Sequence, residues 1–503
     1  MQKCFPKAAV GLNALSSIGG AFIIVCMNIL LCQTPALKSG FLPLPGKEVP
    51  ISLLYLASFL RKNGYKDVEV LDLELKGGIS PHLEQEIAEF APKVVGITSY
   101  TSNVILAGQI AELVKRISPE SITVIGGFHA SALPKETLEE FPKIDYLVFG
   151  EGEITLLQLV NAIETGKLPD GIAGLAWRRD GDVVVGPTRP FIEDLDELPF
   201  PDRSLVPIEK YIPDPGNYFR LPSSGILYSR GCPFRCAYCS KSVFLNRIRY
   251  RSPANFAAEV RECINRYNIR DFRLGDEGPT TNSKKMGELC STLIEQSVNI
   301  TWNCFSRIDT VNFELLSLMK KAGCYHVTYG LESVLPETQK LIYKEIDPKQ
   351  AAQVVKWTQK LGIECKVNFI FGFPWEKLED MKSTVRFANK LNPDIAQFHI
   401  FKPFPGSELY QRLDADGKIK SKNWGDYDTS SEALVFEAPF SERDIMSLIK
   451  SSYFSFYFRP RFILRRMARF LRHPWREIKT VLKGMAILIF RGFLYKRQAA
   501  RSD

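Results

Sequence analysis

Twice along this chain, short apolar runs alternate with longer segments of helical apolar spacing, and that rhythm limits the fold more than any other feature. Met27 to Pro35 (M-N-I-L-L-C-Q-T-P) predicts a first buried strand running into a loop. Ile51 to Arg61 has the spacing of a helix and stops at Lys62-Asn63-Gly64. Val68 to Leu73 predicts a strand, Pro81 to Ala91 a helix, Val94 to Ser99 a buried strand and Ala107 to Ile117 a helix. Ile122 to Ile125 and Tyr146 to Val148 predict two more strands. Strands apolar on both faces must be covered on both, which predicts an α/β unit with a doubly wound parallel sheet. Ligands of such sheets bind outside the carboxyl ends of the strands. Three loops lie there: Ser99-Tyr100-Thr101-Ser102, Gly126-Gly127-Phe128-His129 and Gly150-Glu151-Gly152-Glu153. Glycines let a ligand approach the backbone, although each also serves simply to turn the chain.

A second alternation begins near Gly225. Strands are expected ending at Ile226 and over Asp271–Leu274, Ile300–Cys304, His326–Tyr329, Lys366–Phe371 and Ile395–Phe401. Helices are expected over Asn255–Tyr267, Lys284–Gln296, Glu314–Ala322, Gln350–Leu361 and Leu378–Lys390. Six such units suit a partial parallel (β/α)6 barrel, whose active site lies at the carboxyl ends of its strands.

Between the first and second of these strands stands S-R-G-C-P-F-R-C-A-Y-C-S, Ser229 to Ser240. Cys232, Cys236 and Cys239 place three thiols on one loop. Soft thiolate sulfur favours iron or zinc. Zinc asks for a fourth ligand nearby, and no His or Cys lies between Cys239 and Cys263. A four-iron cluster held by three cysteines keeps one iron open to a small molecule.

This C-x3-C-x2-C loop, with Tyr238 before its last cysteine, resembles the signature of the radical S-adenosylmethionine (SAM) enzymes. The resemblance implies that Cys232, Cys236 and Cys239 hold a 4Fe-4S cluster whose open iron takes SAM. Further segments at strand ends are similar to that family's motifs. Asp276 and Glu277 stand where acids receive the amino group of SAM, but Pro279 replaces an expected Phe, so the choice between them stays open. Arg307 pairs with a carboxylate or buttresses Asp309. Glu332 and Ser333, in G-L-E-S, approach SAM, and Gly372, in F-G-F-P, lies near its adenine. The P-F-P-G closing segment after Phe401 reads as structural. His399 reads as a core or cavity residue, and Cys304 and Cys324 are the other cysteines that merit a test for catalysis.

With the three-cysteine loop behind it, the stretch from Met27 to Ile192 resembles the cobalamin-binding domain of B12-dependent radical SAM enzymes. That implies cobalamin contacts from Ser99, Thr101, Gly126, Gly127, His129, Gly150 and Glu151. None of the five histidines follows an Asp by two residues, so the D-x-H-x-x-G lower ligand is missing. The family chemistry is reductive cleavage of SAM to a 5′-deoxyadenosyl radical. The expected outcome is methylation of an unactivated carbon of a small or lipophilic substrate. A rearranging cyclase would share every motif. A tRNA methylthiotransferase would need a second cysteine trio, whereas only Cys4, Cys26 and Cys32 precede Cys232. A non-catalytic cobalamin sensor would not need the cluster loop. An electron donor such as flavodoxin or ferredoxin is implied.

The expected organisation is a leader or mis-assigned extension over 1–26, the cobalamin unit over 27–192, a linker over 193–224, the barrel over 225–440 and a basic helical tail over 441–503. Eleven scattered cysteines suit a reducing, cytoplasmic setting. From Arg459 onward, thirteen Lys and Arg face two acids, so the net charge of +9 belongs to the tail and the remaining chain is near neutral. That argues against nucleic acid as a partner. Interleaved Phe, Leu, Ile and Trp suit the tail to an anionic membrane surface at the inner face, or to packing on the barrel.

Overall fold

The computed structural model describes residues 27–35, 46–214, 216–428, 431 and 433–472. The expected leader and the tail beyond 472 lie outside the described residues.

The first unit is a seven-stranded sheet of β1 (Ile29–Gln33), β2 (Val68–Asp72), β3 (Val94–Ser99), β4 (Ile122–Gly127), β5 (Tyr146–Val148), β6 (Leu175–Arg179) and β7 (Asp182–Val185), ordered β2-β1-β3-β4-β5-β6-β7. The first five are parallel, with helices on both faces, as the alternation requires. β6 and β7 run antiparallel, which departs from the expected all-parallel sheet. Their two-residue turn is Asp180-Gly181, both at positive φ (53° and 93°), a hairpin signal that the run W-R-R-D-G-D-V-V-V carried and the sequence reading passed over.

The second unit is a six-stranded parallel sheet in chain order: β8 (Ser223–Ile226), β11 (Asp271–Leu274), β12 (Thr301–Arg307), β13 (Cys324–Glu332), β14 (Glu364–Phe371) and β15 (Ile395–Ile400). A short antiparallel ribbon, β9 (Ser229–Gly231) with β10 (Ile248–Tyr250), branches from it and brackets the cysteine loop. Barrel helices begin where a side chain takes up an orphan backbone N–H: Ser252, Asn282, Asn312 and Asp347 each do so. β12 and β13 run further than their apolar stretches suggest, so Arg307 and Glu332 end strands instead of sitting in the loops beyond them. Likewise Gly126 and Gly127 finish β4.

The outward face of the barrel is apolar. Phe272, Trp302, Cys304, Val327, Tyr329, Val367, Phe369 and Phe398 pack there against the helices. Cys304 and Cys324 belong to this core, away from the lumen, which removes them as candidates for catalysis. The stretch expected to be a linker is tied down: Arg203 is 1% exposed and donates to Ser224 Oγ, Gly225 O and Glu259. Tyr211 donates to Asp72 of β2 at 2.8 Å.

The described start of the tail packs on the barrel. Helix Glu442–Tyr457 lies along edge strand β15, where the Tyr457 hydroxyl donates to Ala396 O (2.8 Å) and accepts from Ala396 N (3.2 Å). The Tyr453 hydroxyl accepts from Phe398 N at 3.2 Å. Two tyrosines one helical turn apart thus satisfy a sheet edge that would otherwise be open to pairing.

Candidate active site

The cysteine loop is fixed from three sides. Asp276, just past β11, is buried and accepts from the backbone N–H groups of Tyr228 (3.0 Å) and Ser229 and from the Ser229 hydroxyl (2.6 Å). Burial pushes its carboxyl up to about 6, against the pull of those hydrogen bonds. Arg307 reaches in from the end of β12. It donates to Cys236 Sγ at 3.4 Å and to Lys344 O at 2.9 Å, pairs with Asp309 at 2.7 Å, and stacks 3.8 Å from the Phe234 ring. Lys241 follows the loop: burial would lower its ammonium, but Cys239, Cys232 and Cys236 together hold it above its ordinary value.

The two acids after β11 therefore separate. Asp276 is committed to the loop backbone. Glu277 faces the cavity described below, raised by burial and by Asp276 and lowered by Lys241, and its carboxylate is available to a ligand.

The other residues implied for SAM lie in two buried networks. Tyr238 donates to Glu332 Oε1 at 3.0 Å, and Lys344 donates to the same oxygen at 2.5 Å. Glu332 sits at φ +66° at the end of β13, a left-handed conformation rare outside glycine. Lys344 carried no motif and was missed by the sequence reading. Ser333 donates to Glu376 Oε1 at 2.9 Å, and burial pushes Glu376 up to about 6. Gly372 is required by packing: at φ +86°, a Cβ there would stand 2.6 Å from Ile445 Cδ1. Its open side faces the helix Glu442–Tyr457, so the adenine contact expected of it has no support in this packing.

A cavity of about 620 Å³ lies where the two units meet. The first sheet lines it with Ser99, Gly126, Gly127, Gly150 and Glu151, and the barrel with Ser229, Arg230, Gly275, Asp276 and Glu277. Thr101 and His129, expected beside them, do not line it. His129 is 1% exposed, its Nδ1 lies 3.3 Å from Thr101 Oγ1, and its ring meets Trp424 edge-on at 4.8 Å. Burial takes its pKa down to about 4, so the ring is neutral. Glu151 lines the cavity but is held by charge. It accepts from Arg230 at 3.0 Å and Arg249 at 2.7 Å, while Glu153 takes the other arm of Arg230 at 2.6 Å. Arg230 and Arg249 face each other across the β9–β10 ribbon, so the last glycine loop of the first sheet is clamped to the stem of the cysteine loop.

The residues fit the groups the resemblance implies. A Cβ on Gly150 would meet nothing within 4 Å, and one on Gly126 only Val148 O at 3.5 Å, so this rim leaves room for a broad, flat ligand against the strand ends. Gly278 lies so that a Cβ would come within 3.5 Å of Cys232 Sγ, leaving that side of the thiol uncrowded. Three thiols with Arg307 and Lys241 beside them suit an anionic thiolate-bound cluster. Among the described residues, no three His, Cys, Asp or Glu side chains stand together at single-ion distances.

Known proteins resemble this chain in both of its units. A family model for the B12 binding domain matches residues 41–160, and one for the radical SAM superfamily matches residues 226–388. The chain is 34% identical over 461 residues to an uncharacterised methyltransferase of Pyrococcus horikoshii, covering 91% of this chain and 98% of that one. It is 30% identical over 444 residues to the anaerobic magnesium-protoporphyrin IX monomethyl ester cyclase of Rubrivivax gelatinosus, covering 87% and 78%. The radical S-adenosylmethionine methyltransferase TsrM from Kitasatospora setae, solved with cobalamin and a 4Fe-4S cluster bound, superposes with a TM-score of 0.66 at 21% identity over 78% of each chain. The apo form of the cobalamin-dependent S-adenosylmethionine radical enzyme OxsB gives 0.69 at 18% identity over 91% of this chain and 72% of that one. The last two likenesses establish the fold.

Proposed function

The chain belongs to the cobalamin-dependent radical SAM methyltransferases and cyclases, and on that premise we propose that it methylates an unactivated carbon of a small molecule in the cavity between its two sheets. It is an enzyme that works with a 4Fe-4S cluster, SAM and cobalamin, and it requires a reductant and a small-molecule substrate. When bound, the cluster supplies the electron that cleaves SAM, and cobalamin carries a methyl group.

One cavity supports the reading: glycine-rich strand ends on one wall face Glu277 and the cysteine loop on the other. Cys232, Cys236 and Cys239 are the cluster ligands in this proposal. Arg307 and Lys241 offset the thiolate charge, and Asp276 fixes the loop backbone. Glu277 accepts from the SAM ammonium, a charge-assisted bond suited to a carboxylate. Ser99, Gly126, Gly127 and Gly150 border the corrinoid. The Glu151–Arg230–Glu153–Arg249 cluster holds the two walls at a fixed separation, so that reacting groups bind already positioned. In this reading residues 27–192 form the cobalamin unit, 225–440 the barrel and 441–503 the tail, joined through 193–224.

The test is anaerobic reconstitution followed by iron and cobalt analysis, SAM turnover and product analysis. About four irons and one corrinoid per chain, with 5′-deoxyadenosine and a product heavier by one methylene, support methylation. Zinc in place of iron, or no SAM cleavage, refutes it. The identity to a cyclase favours one second reading, ring formation, which gives a product without added mass from SAM.

The electron donor in this proposal is a flavodoxin or ferredoxin, and the setting is cytoplasmic at the membrane's inner face. On the helix Pro460–Arg472, Leu464, Met467 and Leu471 are exposed beside several arginines, a pattern that suits shallow insertion among anionic lipids. Among the described residues no helix is long and apolar enough to cross a membrane.

A further inference from the structure

The outer positions of the barrel strands are apolar, and strand alternation turns their neighbours inward. Arg273, Thr328, Lys366, Asn368, Gln397 and His399 therefore face the lumen, opposite Phe272, Val327, Val367, Phe369 and Phe398 in the outer core. Below this layer the lumen is closed. Phe219 packs on Tyr325 at 5.3 Å, Asn303 donates to Asn217 O and Tyr325 Oη at 2.8 Å each, and His326 lies 3.0 Å from both Glu364 and Thr328. Above it Arg273, which with Phe305 also lines the cavity between the sheets, joins this layer to that cavity.

Among the described residues, Asn368 and Lys366 in this layer each lack a side-chain partner. Asn368 Oδ1 is buried with no hydrogen bond. Lys366 makes no hydrogen bond or ion pair among the described residues; Asp214 and Glu364 act on it only at longer range. Arg273, by contrast, already pairs with Glu48. Burial and the nearby Arg273 bring the Lys366 ammonium down to about 8, so it still carries most of its charge near neutrality. Burial, with Lys366 beside it, keeps His399 neutral, at about 4, so it offers hydrogen bonds and no charge. A desolvated cation and an orphan amide oxygen side by side are costly unless something binds them.

We propose that this layer seats an anionic end of the substrate, a carboxylate or phosphate set against Lys366, with a hydroxyl or amide N–H of the substrate donating to Asn368 Oδ1. The proposal rests on the reading that chemistry occurs at the barrel mouth, and it adds the substrate's class and direction. The charged end lies down in the lumen and the carbon skeleton rises past Phe305 toward Glu277. Phe371, where β14 ends, is five positions on from Lys366, so the barrel mouth stands about 16 Å from the anion seat, at about 3.3 Å per residue, and the modified carbon lies at or beyond that level. A wholly hydrocarbon substrate would leave both groups dry and unpaired.

The test uses the anaerobically reconstituted full-length protein and a limiting pulse of acetic anhydride, with acetylation of each lysine read by mass spectrometry. The probes are glutarate for a carboxylate seat and glycerol 3-phosphate for a phosphate seat. At least one should slow Lys366 acetylation about fivefold while leaving the exposed Lys349 unchanged. Asn368→Asp, which supplies a resident carboxylate, should abolish that protection, and Asn368→Leu should weaken it. Unchanged Lys366 labelling with both probes, or equal slowing of Lys366 and Lys349, overturns the proposal. Formation of 5′-deoxyadenosine by the same wild-type preparation is scored separately. Flat labelling in a protein that cleaves SAM removes the seat alone, whereas loss of SAM cleavage removes the radical reading.

Discussion

Replacing Glu151 by Ala should loosen the two units from each other. Among the described residues its carboxylate is the only acidic partner of Arg249, which also donates to Ile192 O, while Arg230 would keep Glu153. Removing one partner of a buried pair costs ~3–5 kcal/mol; because Arg230 stays paired, the low end, ~3 kcal/mol, is expected. The assay is urea unfolding of Glu151→Ala, Arg249→Met and the double variant, read by tryptophan fluorescence at matched ionic strength. If Arg249 is destabilising chiefly because Glu151 has gone, the double variant should be more stable than the sum of the singles predicts by ~1–3 kcal/mol. Burial pushes the Glu151 carboxyl up, but the Arg249 hydrogen bond and the charges of Arg230 and Arg249 outweigh it, leaving it below its ordinary 4.5. Its contribution is therefore present above pH 4.5 and lost as pH falls through the lower folded value, so wild type and Glu151→Ala should converge there. Additivity within about 0.5 kcal/mol, or a gap that widens in acid, would refute the clamp.

Three further outcomes are expected. Alanine at any one of Cys232, Cys236 and Cys239 should lower iron well below about four per chain and abolish SAM cleavage; full iron by elemental analysis would contradict the assignment. Asp276 titrates in the folded protein at about 6, above its ordinary 3.8, so its contribution is complete below 3.8 and lost as pH rises through 6. Asp276→Asn should remove that slope, ~3 kcal/mol across the interval, making thermal stability flatter between those limits; an unchanged slope would mean that the group titrates normally. Tyr453→Phe with Tyr457→Phe removes four hydrogen bonds to the backbone of Ala396 and Phe398 at the edge of β15 and should cost ~2–6 kcal/mol, at ~0.5–1.5 kcal/mol per lost bond; an unaltered melting curve would show the edge to be capped another way.

The sequence by itself determined both sheets and the loop that carries the chemistry. Strand and helix periods are local properties, and three cysteines within eight residues are adjacent whatever the rest of the chain does. The β6–β7 hairpin was equally local and was legible in Asp180-Gly181. What only the tertiary structure decided was which polar side chains face each other. Asp276 and Glu277 are neighbours in sequence, yet opposite sides of one turn give the first to the loop backbone and the second to the cavity. Glu151 stood in a glycine loop that suggested a ligand, but two arginines on a distant ribbon claim it. His129 is buried with its Nδ1 toward Thr101 and its ring against Trp424, and the inward half of each barrel strand became a surface only when six strands curved around it. Such partners meet across 28 to 98 residues of chain, through the packing of the elements between them, and no local pattern records where that packing brings them.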